Sequence, residues 1–323
     1  KEIKVKCKKF DEVLENLKPS TIKMDCEGAE YDLLQKPLPD YVKKITMEIH
    51  FSKKHWRNDL ANKLISLFND WIAIPSVSRA ETITKKTLNY LKQTDIDMSK
   101  VDIFLSDAKE EQTYRQNLQD FPVNIIVTNK KHVNTQRNFI VDYYEEDQLI
   151  LGIDDDIDFV AMKVDDKNTI QLNSLTDFVD QAFTISLDKN FDMWGVNPVI
   201  NPYFMKNNVT FNLKYIVACF YGWRNTHEKK AYVSTNPEYG KEDFERSIRY
   251  YIADGGVTRF NYVAPKTKYY SEKGGIQNYR TYSYEETAVK WLLQTFPMYC
   301  KRNNKSKGKY PEVRLIDQRR KKR

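Results

Sequence analysis

The sequence predicts an α/β protein with a mixed, mainly parallel sheet and a partial α/β appendage at its N-terminus. Three observations predict it. Apolar runs at Trp71–Ile74, Val101–Leu105, Val123–Val127 and Leu149–Ile153 recur at about the spacing of a βαβ unit. Helical candidates at Glu81–Lys92, Lys109–Leu118 and Val133–Tyr144 fall between them, and such alternation argues a parallel sheet covered on both faces. Finally, 41% of the 323 residues are hydrophobic and 30% charged, which suits a sizeable core and excludes wholesale disorder.

Taken in order, residues 1–69 read as strand, helix, strand, helix. The strands are Thr21–Asp25 and Lys44–Phe51; the helices are Ala29–Gln35, stopped by Pro37, and Asp59–Phe68. That segment lacks a glycine-rich first turn. Residues 70–300 form the main domain. After residue 160 its pattern loosens: Ser174–Leu187 is helical, Trp194–Asn201 extended, and Tyr215–Tyr221 strand-like. Lys241–Tyr251 is a helix opening with acids, Val257–Tyr270 one or two strands, Gly274-Gly275 a turn, and Glu285–Phe296 a helix ended by Pro297.

Residues 301–323 read as a basic tail. They hold eleven Lys or Arg against Glu312 and Asp317, a net of +9, whereas the other 300 residues are net −2. Such a tail is either a polyanion-binding arm or a solvated terminus. No apolar run reaches the ~18–20 residues of a membrane span, and no signal-peptide pattern opens the chain. Cys7, Cys26, Cys219 and Cys300 form no CxxC pair, and the four histidines no ligand ladder. A soluble, cytoplasmic protein without zinc or disulfides is expected. Nothing in the sequence fixes an oligomeric state.

The sharpest chemical feature is Leu149-Ile-Leu-Gly-Ile-Asp-Asp-Asp-Ile-Asp158. An apolar strand running into three carboxylates puts them at its carboxyl end, where open α/β sheets bind ligands. Alternation points Asp154 and Asp156 one way and Asp155 the other. Carboxylates clustered without basic neighbours repel by an amount of order 1 kcal/mol or more. A hard divalent cation, Mg²⁺ or Mn²⁺, removes that cost and bridges to phosphates. The alternative is an acidic loop that keeps a strand end soluble.

Around it stand four weaker signals. Arg137, early in a helix, suits either phosphate pairing or a solvent-facing charge. Pro75, Ser76 and Arg79 follow the first main-domain strand, where nucleotide contacts are expected. Glu242 and Asp243 open a helix, as a general base or as complements to its dipole. Arg259, Lys266, Lys268 and Lys273 interleave with Phe260, Tyr262, Tyr269 and Tyr270, suited to phosphates and stacked bases or to a tyrosine-rich sheet edge. Arg224 joins these as a nucleic-acid candidate.

From Trp71 to about Ile316 the chain resembles the TET-associated glycosyltransferases, a group with the Rossmann-like nucleotide-diphospho-sugar (GT-A) fold. The resemblance rests on Ile74-Pro-Ser, Thr87-Leu88, Tyr114, Arg137-Asn138-Phe-Ile, Gly152-Ile-Asp-Asp-Asp-Ile157, Glu242-Asp243-Phe-Glu-Arg, Gly255-Gly-Val-Thr-Arg-Phe-Asn261 and Gly274-Gly-Ile-Gln277. It implies sugar transfer from a UDP-sugar to hydroxymethylated pyrimidines in DNA, mostly in phages and other DNA viruses. By the resemblance Asp154 and Asp156 are metal ligands for Mn²⁺ or Mg²⁺, and Asp243, with Glu242 beside it, is the general base. Arg79 and Arg137 are donor-site residues, and Pro75, Ser76, Asp155, Gly274 and Gly275 complete the sugar-nucleotide set.

Residues 20–60 are separately similar to the rear half of an FkbM-type methyltransferase, through Ile22-Lys-Met-Asp-Cys-Glu-Gly-Ala-Glu-Tyr31 and Met47-Glu-Ile-His50. That family's upstream S-adenosylmethionine strand and glycine turn have no counterpart in this sequence, so methyl transfer by the segment alone is not expected. Because such methyltransferases often modify sugars, a surface glycan or lipid-linked sugar is the second acceptor to weigh. A catalytically dead nucleic-acid-binding module is the third reading.

Overall fold

A computed structural model describes residues 10–18, 21–24, 44–47, 70–236, 238–267, 274–275, 279–305 and 308–318. Contacts divide the chain into Lys1–Phe68 and Asn69–Arg323. In the first unit a helix, α1 (Phe10–Leu17), precedes two parallel strands, β1 (Thr21–Met24) and β2 (Lys44–Met47), with Thr21 opposite Lys44. The helices expected at 29–35 and 59–68 lie outside the described residues, as does the end of the strand expected to reach Phe51.

In the second unit the expected βαβ run is present. It comprises β3 (Asp70–Ser76), a helix α2, β4 (Val101–Leu105), α3 (Glu111–Asn117), β5 (Asn124–Val127), α4 (Val133–Tyr143) and β6 (Leu149–Ile153). The helix α2 starts at Ala80–Ile83, widens to a π-helical turn over Thr84–Leu88, and ends with Asn89–Leu91. The strands β6, β3, β4 and β5 lie side by side and parallel. Chain order steps outward from β3 to β4 and β5, then returns to β6 on the other flank of β3. The carboxyl ends of β3 and β6 therefore adjoin at the switch point, where such sheets bind ligands.

The rest of the sheet departs from a parallel pattern. Its order is β10-β12-β9-β11-β6-β3-β4-β5, built from β9 (Met193–Val196), β10 (Val209–Thr210), β11 (Phe220–Arg224) and β12 (Thr258–Phe260). β11 runs antiparallel to both its neighbours, while β9 and β12 are parallel. The strand expected over Tyr215–Tyr221 begins only at Phe220, because an apolar stretch does not reveal its first hydrogen-bonded residue. A helix, α5 (Leu175–Leu187), covers β9 and β11, capped by the Ser174 hydroxyl.

Trp194 on β9 is fully buried and packs edge-on against Phe178, Phe183 and Phe260. Gly222 on β11 leaves it room: a Cβ there would stand 2.3 Å from the indole. Gly222→Ala is accordingly expected to destabilise the protein by about 1–3 kcal/mol through overpacking. Thermal unfolding should register it at about 2–4 °C per kcal/mol.

Strands β7 (Phe159–Lys163) and β8 (Thr169–Gln171) form a separate antiparallel sheet with β13 (Val263–Lys266). The sequence reading did not anticipate β7 and β8. Their tight turn is made by Asp165, whose Oδ1 accepts the Lys167 and Asn168 amides at 2.8 Å. Pro265 is tolerated because β13 is an edge strand.

After α6 (Glu242–Asp254) and α7 (Tyr282–Thr295), the chain forms a hairpin of β14 (Cys300–Arg302) and β15 (Val313–Leu315). Much of the stretch expected as a basic tail is thus built into the body. Val313 is buried in the core, and Asp317 accepts hydrogen bonds from Tyr251 and Asn212. Counting charge hid the alternating Val313 and Leu315. Among the described residues no helix is long and apolar enough to cross a membrane.

Candidate active site

The strand β6 ends at Ile153, and Asp154, Asp155 and Asp156 form the turn that follows. Asp154 N–H still bonds Cys219 O at 3.1 Å, which anchors the turn to the chain leading into β11. Thr87, in the π-helical turn of α2, stitches it from the other side. Its hydroxyl donates to Asp154 O at 2.8 Å and accepts the Ile157 amide at 3.0 Å.

The acids do have basic neighbours, contrary to the expectation of an unpaired cluster. Arg79, just before α2, places Nη1 2.7 Å from Asp155 Oδ1 and 3.3 Å from Asp156 Oδ2. Arg137 on α4 places Nη2 2.8 Å from Asp154 Oδ1. Both arginines are distant in sequence, so only the fold brings them together. Arg137 is 6% exposed, which rules out the reading as a solvent-facing charge. Neighbours on α4 fix its orientation, since Asn134 donates to the Ser234 and Tyr239 carbonyls and Gln136 to that of Phe104.

Asp155 turns inward. It is 3% exposed and accepts the Ser76 hydroxyl at 2.6 Å as well as Arg79. Ser76 is itself buried, 2.7 Å from the Tyr114 hydroxyl, which accepts the Arg79 amide at 3.0 Å. Ser76 and Asp155, expected as sugar-nucleotide contacts, thus brace Arg79 in this structure. Pro75 is half-buried within β3, opposite Phe104. Gly274 and Gly275 lie against Arg79: the Gly274 carbonyl accepts Nη2 at 3.4 Å, and Gly275 N–H bonds Val77 O at 3.2 Å. Gly274 has φ +89°, and a Cβ there would stand 2.9 Å from Arg79 Cγ, so only glycine fits.

Burial pushes Asp154 up to about 7; Arg137 pulls against this, while the charges of Asp156 and Asp155 add to it. A third of its side chain remains exposed. Burial also raises Asp155, against Arg79 and Ser76. The local surplus of negative charge, with oxygen donors only, fits Mg²⁺ or Mn²⁺ at Asp154 and Asp156. Among the described residues no three His, Cys, Asp or Glu side chains form a metal cage. Two carboxylates would supply part of the shell, and ligand phosphates and water the rest.

The second half of the site is the first turn of α6. Lys241 precedes it in a left-handed conformation (φ 61°), held by Glu285 at 2.8 Å and Glu312 at 3.2 Å. Glu242, Asp243 and Glu245 then follow in the first turn. Burial and the Glu242 charge push Asp243 up to about 6, against the Tyr215 hydrogen bond, Lys241 and the Phe244 amide. The Tyr215 hydroxyl donates to Asp243 Oδ2, and its ring stacks on Phe244 at 4.3 Å. The two halves meet at Arg137, whose Nε lies 4.0 Å from Glu242 Oε1 while Nη2 holds Asp154.

The nucleic-acid candidates separate. Arg259 on β12 donates to Asn261 at 2.8 Å and to Tyr215 O at 3.3 Å, so it neighbours the residue that holds Asp243. Burial pushes it down to about 10, and among the described residues it has no carboxylate partner. Lys266 is exposed, and its carbonyl accepts the Asp158 amide at 2.8 Å. Arg224 is remote. It pairs in register with Leu149, at the opposite end of β6 from the acids, and bonds Asp192 and Asp147 at 2.7 and 3.2 Å. Lys268 and Lys273 lie outside the described residues.

Three site residues carried no role in the sequence reading. Tyr215 was read as strand, Thr87 only as part of the resemblance, and Thr267, whose hydroxyl donates to Asp156 Oδ1 at 2.9 Å, not at all. A lone hydroxyl residue has no spacing signature.

A family model described as the methyltransferase FkbM domain matches residues 1–81, about a quarter of the chain. No curated protein matches the chain. Among solved structures, the chain aligns with TarS 1–349 of S. aureus in complex with UDP-GlcNAc at 12% identity and TM-score 0.48, over 70% of this chain and 66% of that one. GalNAc-T7 with UDP, GalNAc and Mn²⁺ aligns at 8% and 0.47, over 70% and 47%. The mannosyltransferase PcManGT of Pyrobaculum calidifontis, with GDP-Man and Mn²⁺, aligns at 12% and 0.41, over 74% and 70%. At these identities and scores the likenesses establish neither a shared fold nor a shared activity. What the structure itself carries is an α/β sheet whose switch point gathers an acidic turn, two buried arginines and a helix-borne carboxylate pair.

Proposed function

We propose that this chain is a metal-dependent glycosyltransferase of the GT-A kind, taking a sugar from a UDP-sugar to a hydroxymethyl group on a pyrimidine in DNA. The observation that carries the reading is Arg137, one buried guanidinium that joins the acidic turn to the helix bearing Asp243. A divalent ion held by Asp154 and Asp156 would neutralise the diphosphate as the sugar leaves. Arg79 and Arg137 bind phosphate oxygens, and their present carboxylate contacts keep both poised at the crevice. Asp243 accepts the proton of the attacking hydroxyl, its raised pKa bringing it nearer neutrality than an ordinary carboxylate.

The acceptor half draws on the resemblance and on Arg259. A guanidinium without a carboxylate partner, one tyrosine away from Asp243, suits a phosphate of the acceptor. The acceptor base must be single-stranded or flipped to bring its hydroxymethyl group to Asp243. The FkbM match at residues 1–81 favours a second acceptor, a glycan or lipid-linked sugar.

The deciding experiment incubates the protein with hydroxymethylated DNA, a panel of UDP-sugars and Mn²⁺, followed by nucleoside mass spectrometry. A mass gain of one hexose or N-acetylhexosamine on a pyrimidine is expected, together with DNA retention that falls steeply with salt. Transfer to a glycan acceptor with unmodified nucleosides would replace the DNA reading by the second one. No transfer and no Mn²⁺-dependent UDP-sugar hydrolysis would overturn both.

A further inference from the structure

One turn beyond Glu242, α6 carries a second arginine whose charge the site does not use. Arg246 is 4% exposed, and its guanidinium lies 4.7 Å over the Tyr221 ring. Both Nη atoms are buried without a hydrogen-bond acceptor. Among the described residues no carboxylate oxygen stands within ion-pair distance of it. Its neighbour Glu245 instead accepts the Ser234 amide at 3.0 Å and Arg249 Nε at 2.7 Å. A cation–π contact offsets only part of the cost of burying a guanidinium.

Arg246 lines a small cavity with Arg137, Trp223, Tyr221, Tyr250 and an aliphatic wall. Two further orphaned donors belong to that lining, Arg137 Nε and Trp223 Nε1, and both side chains are more than nine-tenths buried. Four buried nitrogen donors therefore belong to one cavity, which no carboxylate lines. The cavity leaves about 10 Å³ open to the centre of a water-sized sphere, close to the least that admits a single particle. Sugars, phosphates and carboxylates are too large. A water molecule accepts two hydrogen bonds, which would leave at least two of the four donors unmatched. A spherical anion accepts from all of them and neutralises Arg246.

We propose that this cavity binds one monovalent anion of about chloride size, held between Arg246 and Arg137. The anion takes the Arg137 Nε donor while Nη2 stays on Asp154. It thereby holds from behind the guanidinium that spans the two halves of the site.

Two readouts test this. Crystals grown in sodium bromide are expected to show an anomalous peak in the cavity at the bromine edge. The midpoint of thermal unfolding is expected to rise by about 2–4 °C when sodium chloride replaces sodium gluconate at equal ionic strength. Arg246→Met should abolish both. Should that variant fail to fold, Trp223→Phe removes a single donor while keeping an aromatic ring, and should weaken the halide effect several-fold. Water density with no anomalous signal overturns the proposal. A peak without a halide-dependent midpoint marks an adventitious ion only and overturns it as well. Neither readout involves sugar transfer, so the outcome is independent of the transferase reading.

Discussion

Asp243→Asn is expected to lower kcat by about 10²–10⁴-fold, the usual contribution of a positioned general base, with little change in donor KM. The pH profile of the unmodified protein should carry the same signature. Asp243 is pushed up to about 6 by burial and the Glu242 charge. A base works only when deprotonated, so activity should fall as pH drops through about 6 and level off above it. The apparent value belongs to Asp243 and Glu242 together, since each carboxylate raises the other's proton affinity. The asparagine variant should lose that acid limb. It should also unfold at the same temperature or higher at neutral pH, because an amide escapes the burial penalty on a charge while still accepting the Tyr215 hydroxyl. A variant that lost activity by misfolding would show the reverse.

Asp156→Ala should be comparably severe and different in kind. Lewis-acid stabilisation of a leaving diphosphate contributes several kcal/mol, so a loss of roughly 10²–10⁴-fold is expected, together with loss of stimulation by Mn²⁺. Titration of the unmodified protein with Mn²⁺ should show tighter activation as pH rises through about 7. Burial holds Asp154 near that value in the ion-free protein, and the ion must displace its proton. Calorimetry of Mn²⁺ and UDP binding separates the two variants: Asp156→Ala should bind the pair far more weakly, and Asp243→Asn normally.

Much of this arrangement was legible because strand periodicity and the acidic run are local. Val101–Leu105 and Leu149–Ile153 are the strands the apolar runs predict, residue for residue. Each is buried on both faces and so reads as an unbroken apolar stretch. The charges of the acidic turn are local too, but their partners are not. Arg79 and Arg137 precede it by 77 and 17 residues at their contacts, and no spacing rule connects them. Asp155 illustrates the same gap, because alternation separates it from Asp154 and Asp156 without saying that Ser76 and Arg79 await it. Past residue 160 the strands shorten to two to five residues, below the length at which alternation is distinguishable from chance. There the hairpin of β14 and β15 was obscured by the lysines and arginines around it.

The position of β11 bears on how the molecule comes into being. β6 and β9 are both finished by residue 196, yet each pairs with β11 along an edge that does not exist until residues 220–224 have been synthesised. A nascent chain released before that point holds two sheet fragments with no means of joining, each offering an open edge to its neighbours. Closure of the sheet thus waits on one late antiparallel strand, the same strand whose approach carries Cys219 O to Asp154. The acidic turn acquires its shape only when the two halves are zipped together, which makes assembly of the sheet and assembly of the site a single event.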